Sequence, residues 1–315
     1  MSGAITLAMM NAAKAQEFLI AYDAQFQNAM SQNGEANDYL DKYTYHPTIN
    51  PGVSIVRMAV PLSAPEMKLF KGRRHFRKNG VAFMDLTSVP YDDGVEEDAD
   101  RMAAFDWTGF STSAQSIADT IKQWQSKALA TLLNSGESYT DYTGANFLGT
   151  AKEANPFKPV VGNRYRNFWA DTTLNTQNVD RLIADMVARR GFGGGSLGFG
   201  ISNLVLFSSS ALFPTARSIC VDEFLPGGAS NPAIKWGMTP EAWPDLAADR
   251  WGILQVGPAT RSHPAFGSIK DSPEVLILGK DSAKYELTNQ VGYNVKLRMG
   301  VGLLRPEAIS VAEEP

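Results

Sequence analysis

A single cysteine, Cys220, and three histidines stand in a chain of 315 residues. So sparse a set excludes an internal disulfide framework and any cysteine-rich metal site, and leaves a reducing place of synthesis as the default. His46, His75 and His263 fall in no H-E-x-x-H pattern, and His75 lies among arginines that disfavour its protonated form. Neither a zinc site nor a catalytic triad is therefore legible. No run of about 18 apolar residues is present, which argues against a membrane span. Ile5, Leu7, Met9 and Met10 have no basic region before them, which argues against a signal peptide. The net charge is only −4, so this is no protein coated with basic groups for nucleic acid.

What is present is material for a folded core, with 44% hydrophobic residues and enough length for two domains or one elaborated domain with arms. The longest regular stretch in the pattern is 111–134. Ala114, Ile117, Ile121, Trp124, Ala128 and Leu132 line one helical face, and Gln115, Asp119, Lys122, Gln123, Ser126 and Lys127 line the other, suited to solvent or a polar neighbour. Ser111 and Ser113 are candidate N-caps, and Asn134, Ser135 and Gly136 supply a stop. At about 1.5 Å per residue this helix is a strut of roughly 35 Å.

Residues 1–50 have too little apolar material for a core of their own. Phe18, Tyr22, Phe26 and Met30 form a short amphipathic stripe that must be buried on this subunit's body or on another chain. Val56, Met58 and Val60 alternate as a strand does, and 81–86 suits the returning strand of a hairpin. Between them stand Lys68, Lys71, Arg73, Arg74, Arg77 and Lys78, and just after the return come Asp92, Asp93, Glu96, Glu97, Asp98 and Asp100. Like charges in each block repel by about 1 kcal/mol per close pair even in water. Three arrangements relieve that repulsion. The blocks can meet their opposites on neighbouring molecules, they can face one another in a solvated loop, or the basic tip 72–80 can bind phosphates.

Further on, Val179, Leu182, Ile183 and Met186 predict a second amphipathic helix from Thr176 to about Arg190, and 204–207 suits a buried strand. Thr239, Pro240 and Glu241 resemble a helix start, while 252–256, 274–279 and 293–304 are strand candidates. The polar tail VAEEP is expected to fray. The glycine-rich run 191–200 contains both G-x-G-x-x-G (Gly193, Gly195, Gly198) and G-x-S-x-G (Gly194, Ser196, Gly198). Both motifs need a strand before and a helix after, and the order here is the reverse, so a flexible hinge is the simpler reading. A serine hydrolase using Ser196 stays as the alternative of a different class. The acidic block lacks EF-hand spacing, and Cys220, between Ile219 and Val221, suits a small buried hydrophobe. No catalytic, cofactor-binding or metal residue is assigned, no cofactor is expected, and the six scattered tryptophans default to core packing.

The order of parts resembles the major capsid proteins of tailed bacteriophages with the Hong Kong 97-type fold, and within them the Mu-like major head subunit family. The residues that carry the resemblance are Phe18, Tyr22 and Phe26, then GRRHFR at 72–77 and YDDGVEEDADRMAAFDWTG at 91–109. The helix from Ser111 with Leu132, Leu133 and Gly136 follows, then NFLGTAKEANPF at 146–157, SNLVLFSSSALFP at 202–214 and YNVKLRMGVGLLRPEAI at 293–309. The resemblance implies an α+β fold with an N-terminal arm (1–50), an extended loop (51–105), a peripheral domain with a spine helix (106–202), an axial domain (203–285), and a return with a C-terminal tail (286–315). It also implies a non-enzymatic head protein assembling as hexamers and pentamers into an icosahedral shell around double-stranded DNA, in a virion capsid built in the host cytoplasm. Partners would be copies of itself, a separate scaffold, portal and decoration proteins, and DNA by non-specific contact, with no membrane. The shell of a protein nanocompartment is the alternative within the same fold. Arg73, Arg74, Arg77, Lys78, Asp92, Asp93, Glu96 and Glu97 are the candidate subunit contacts.

Overall fold

The structure, a computed structural model, describes residues 2–31, 38–47, 54–61, 81–100, 108–153, 164–189, 203–224, 230–256, 265–279 and 281–315. The chain begins with helix α1 (Ser2–Ser31), followed by β1 (Thr44–Tyr45), β2 (Ile55–Pro61), β3 (Val81–Thr87), β4 (Val89–Asp98) and helix α2 (Thr108–Asn134). Then come β5 (Lys152–Glu153), β6 (Arg164–Tyr165), β7 (Phe168–Trp169), α3 (Thr176–Ala188), β8 (Leu204–Ser208) and α4 (Phe213–Val221). The rest is β9 (Thr239–Ala242), β10 (Arg250–Gln255), β11 (Phe266–Lys270), β12 (Glu274–Leu278), α5 (Ala283–Thr288), β13 (Gln290–Leu303) and β14 (Ile309–Glu313).

Two five-stranded sheets organise these elements. In the first, β13 is the long central strand, with β4 along one edge and β11 and β12 in succession along the other, all antiparallel to it. Alternate residues Val291, Tyr293, Val295, Leu297 and Met299 are buried under α1 and the first half of α2, where Leu19, Tyr22, Phe26, Ala114, Ile117 and Ile121 meet them. The arm stripe is thus packed on its own subunit. At about 1.5–3 kcal/mol for each large apolar side chain taken from water, this face is what holds α1 down.

The second sheet runs β7-β14-β10-β8-β9. Its strand β8 is buried on both faces, which explains its unbroken apolar run. Val205 and Phe207 face a core shared with Leu129 and Leu133 of α2, while Leu204 and Leu206 face α3 and α4. Helix α2 therefore enters two cores, one at each end, as a strut must. Its last turn is closed by Arg250, whose Nη1 donates to the Leu133 carbonyl at 2.9 Å and whose Nη2 pairs with Glu137 at 2.7 Å. That is the expected place for a cation, at the negative end of a helix dipole.

Several expectations need correction. α2 starts at Thr108, so Ser111 and Ser113 lie inside the helix instead of capping it. α1, at 30 residues, is longer than the 27 of α2. Its first dozen residues are rich in Ala, Leu and Met, which favour helix without showing the stripe that marks 18–30. Ser126, assigned to the polar face, is fully buried and accepts from the Leu40 amide at 2.9 Å. Thr239–Pro240–Glu241 opens the strand β9 and no helix. β9 is an outer strand, where a proline without an N–H is tolerated. The tail is not frayed: β14 sits between β7 and β10, and Val311 and Ala312 are fully buried.

Candidate functional site

The sorted charges fall on two neighbouring pieces. β2 and β3 form the expected hairpin, with Arg57 opposite Asp85 and Met58 opposite Met84. The segment 62–80 that it carries, and with it Arg73, Arg74, Arg77 and Lys78, lies outside the described residues, as do Ser196 and the glycine-rich run. The acidic block is described, and it is no loop. Asp92, Asp93, Glu96 and Glu97 belong to β4, in register with Lys296, Val295, Gly292 and Val291 of β13. Asp92, Asp93 and Glu96 are exposed and Glu97 is half-buried.

The register sorts these carboxylates onto two faces. Asp92 and Glu96 share the outer face, where Lys296 stands directly opposite Asp92. Asp93 and Glu97 share the helix-covered face, and there Asp93 acts on the arm. The Tyr22 phenol donates to Ser113 Oγ at 3.2 Å. Its pKa is pushed up chiefly by burial, against the pull of the Ser113 bond and with a smaller push from Asp93. The Tyr293 phenol donates to Asp23 at 2.9 Å and is likewise raised, by burial first and then by that carboxylate. The acidic strand and the arm helix are electrostatic neighbours. β4 is also an outer strand, and charged side chains on an exposed edge discourage indiscriminate pairing while leaving it open to a complementary partner.

Beside β4 a groove of about 670 Å³ separates α2 from the sheet. Val89, Tyr91, Trp124, Leu132, Met299 and Val301 line it. Tyr91 and Trp124 meet edge to face, ring centroids 5.2 Å apart. Sequence periodicity assigned Trp124 and Leu132 to the core, yet both are only half-buried and form one wall of this groove.

Between the arm helix and the body, residues 38–47 cross α2 as a strap. Asp38 accepts from Ser126, Gln125 donates to Asp41 at 3.1 Å, and His46 Nε2 lies 3.0 Å from Asp41 Oδ1. Lys42 pairs with Glu241 of β9 at 2.5 Å, and β1 adds in parallel to β11. The strap had no signal beyond scattered polar residues, because its order comes from pairings nearly a hundred or more residues away.

No chemistry emerges elsewhere among the described residues. No three His, Cys, Asp or Glu side chains gather as metal ligands, and no helix is long and apolar enough to cross a membrane. Cys220 is buried in α4, and burial pushes its thiol up to about 12, far from a reactive thiolate.

No protein-family model matches the sequence, and no curated protein matches it. Solved structures do match the fold. The capsid of the native GTA particle is similar at 13% identity over 88% of this chain and 90% of that one, with a TM-score of 0.54. The capsid of cyanophage P-SCSP1u is similar at 11% identity over 88% of each chain, with a TM-score of 0.53. The procapsid of bacteriophage JBD30 is similar at 13% identity over 95% of this chain and 75% of that one, with a TM-score of 0.51. At such identities the likeness is one of fold: the chain has the mixed helix-and-strand fold of phage capsid proteins.

Proposed function

We propose that this chain is the major capsid protein of a tailed bacteriophage with Hong Kong 97-type architecture. The observation that carries this reading is the likeness to phage shell subunits over nearly the whole chain. In this reading α1 is the arm, the β2–β3 hairpin is the root of the extended loop, and α2 is the spine helix of the peripheral domain. The sheet holding β8, β9 and β10 belongs to the axial domain. Copies gather as hexamers and pentamers, close into an icosahedral shell around double-stranded DNA, and do so in the host cytoplasm with scaffold, portal and decoration proteins. The protein acts by assembly and has no enzymatic role.

The charge blocks supply the subunit contact. Arg73, Arg74, Arg77 and Lys78 of one copy meet the carboxylates of Asp92, Asp93, Glu96 and Glu97 on the β4 edge of the next. Exposed pairs contribute little each, about 0–1 kcal/mol. Their value lies in fixing register, and many copies repeat it. The test is reciprocal charge reversal. R73E/R74E is expected to lower shell yield several-fold while leaving the monomer's thermal unfolding unchanged, D92K/D93K is expected to lower the yield likewise at a small cost in stability because Lys296 stands opposite Asp92, and combining them is expected to restore assembly in part. Undiminished shell yield in both reversals would contradict this contact.

A further inference from the structure

Arg166, between β6 and β7, comes together with Trp169 and with Arg181 of α3. Trp169 lies in β7, the outer strand of the second sheet. The guanidinium carbons of Arg166 and Arg181 lie 4.6 and 4.7 Å from the centre of its ring. Two cations sharing one ring are within about 10 Å of each other and repel. Among the described residues neither has a carboxylate at ion-pair distance. Asp185, one turn along α3 from Arg181, is taken by Arg189 at 3.0 Å, and Asp180 accepts from Trp236 at 2.5 Å. Arg181 is exposed and Arg166 is half-buried, making one weak bond to the Thr150 carbonyl at 3.4 Å.

From this we infer that Arg166, Trp169 and Arg181 form a binding site for the phosphodiester backbone of nucleic acid. Stacking on an indole holds a guanidinium plane still and leaves its N–H fork free, the geometry that takes a phosphate with two parallel hydrogen bonds. A phosphate on either fork would also relieve their mutual repulsion. Trp169 is only 6% exposed, so its ring supports the cations and cannot stack a base. Contact is then confined to the backbone and carries no sequence preference. The acidic strand of another copy is the rival occupant. It is disfavoured because the charge-block contact already engages its carboxylates with Arg73, Arg74, Arg77 and Lys78 of a neighbouring copy. The inference rests on the capsid reading only for why nucleic acid is at hand.

The test uses full-length subunits, a fluorescent 20-base-pair duplex and a salt series. R166Q/R181Q is expected to weaken binding about tenfold and to lower the salt slope by about two, one for each phosphate no longer neutralised. R166K/R181K, which keeps charge without the planar fork, is expected to recover only part of the affinity. If the double variant fails to fold, R181Q alone, on the exposed side of α3, is expected to lower the slope by about one. Unchanged affinity and slope in the Gln variants would overturn the site. Tighter binding of a peptide copying residues 89–98 than of the duplex would overturn it in favour of a protein contact. Electron microscopy of the same variants separates the two readings. Shells are expected from R166Q/R181Q as from the parent, and a parent that never assembles would count against the capsid reading while the duplex data still judge the site.

Discussion

Lys152 Nζ and Asp141 Oδ2 meet at 2.6 Å with both side chains almost wholly out of water. Asp141 is further held by the Thr143 amide at 2.7 Å, and Lys152 donates to the Asn146 carbonyl, so the loop after α2 is tied at its base. Replacing Lys152 by Met would leave a buried, unpaired carboxylate, and K152M is expected to cost about 3–5 kcal/mol in urea unfolding. Arg57–Asp85, at 2.7 Å but open to solvent, is the contrast: removing it should leave the unfolding midpoint nearly unmoved. Equal losses from the two variants would show that burial is not what separates them. The strap offers a pH test. The Asp41 carboxylate raises His46, first through their hydrogen bond, with burial pulling the other way, and His46 in turn lowers Asp41. A raised histidine contributes stability below its unfolded value of about 6.5 and loses it as pH climbs through the folded value. The lowered Asp41 contributes above about 3.9 and loses that as pH falls through its folded value. Asp38 opposes, since burial raises it and its ionisation counts against the folded state, while Lys270 beside both aspartates is pushed down by burial. The melting-temperature gap between parent and H46A should therefore be widest between about pH 3.9 and 6.5 and should narrow as pH climbs through the raised histidine value. A gap that grows with pH would contradict the pairing.

At the scale of elements, the amphipathic helices and buried strands were plain in the sequence because burial imposes their period. The stripe Val179, Leu182, Ile183 and Met186 is buried throughout in α3, and the run 204–207 is a strand covered on both faces. The hairpin was legible for the same reason, since Met58, Met84 and Leu86 alternate into a small core. What failed was anything whose order is set by distant partners. Pro240 looked like a first helical turn, but the β8 strand thirty-odd residues upstream turns it into an outer strand. The tail looked polar, yet Val311 and Ala312 are wanted by β10 and β7, and Glu314 accepts from the Leu174 amide at 2.9 Å. The acidic block was assigned to no strand because its alternation is masked when both faces carry carboxylates. The basic half of the candidate contact lies outside the described residues, so only its acidic half has a structural setting. The tail supports a direct prediction. Deleting 309–315 removes an interior strand and should yield insoluble or molten protein, whereas a frayed tail could be removed with no loss of cooperative unfolding. The spacing of β10 against this strand leaves no slack: a Cβ on Gly252 would meet the Ser310 carbonyl at 2.2 Å.

For the whole molecule, the parts share one property: several of them are held on the body by one face and offer another to the outside. α1 is held through Leu19, Tyr22 and Phe26, the β2–β3 hairpin through Met58, Met84 and Leu86, and β4 offers an acidic outer edge beside an apolar groove. Elements of this kind cost conformational entropy to order in a lone chain and are stabilised further when neighbours cover them. A strut that enters two cores keeps the pieces at a fixed spacing, which a repeating shell requires. The most direct measurement is electron microscopy of the purified full-length chain, alongside its sedimentation profile, over a rising series of protein concentrations. The capsid account predicts closed shells, rings of five or six, or curved sheets, with a fast-sedimenting species that grows with concentration. A monodisperse monomer across the whole series, with no ring or sheet at its upper end, would contradict it.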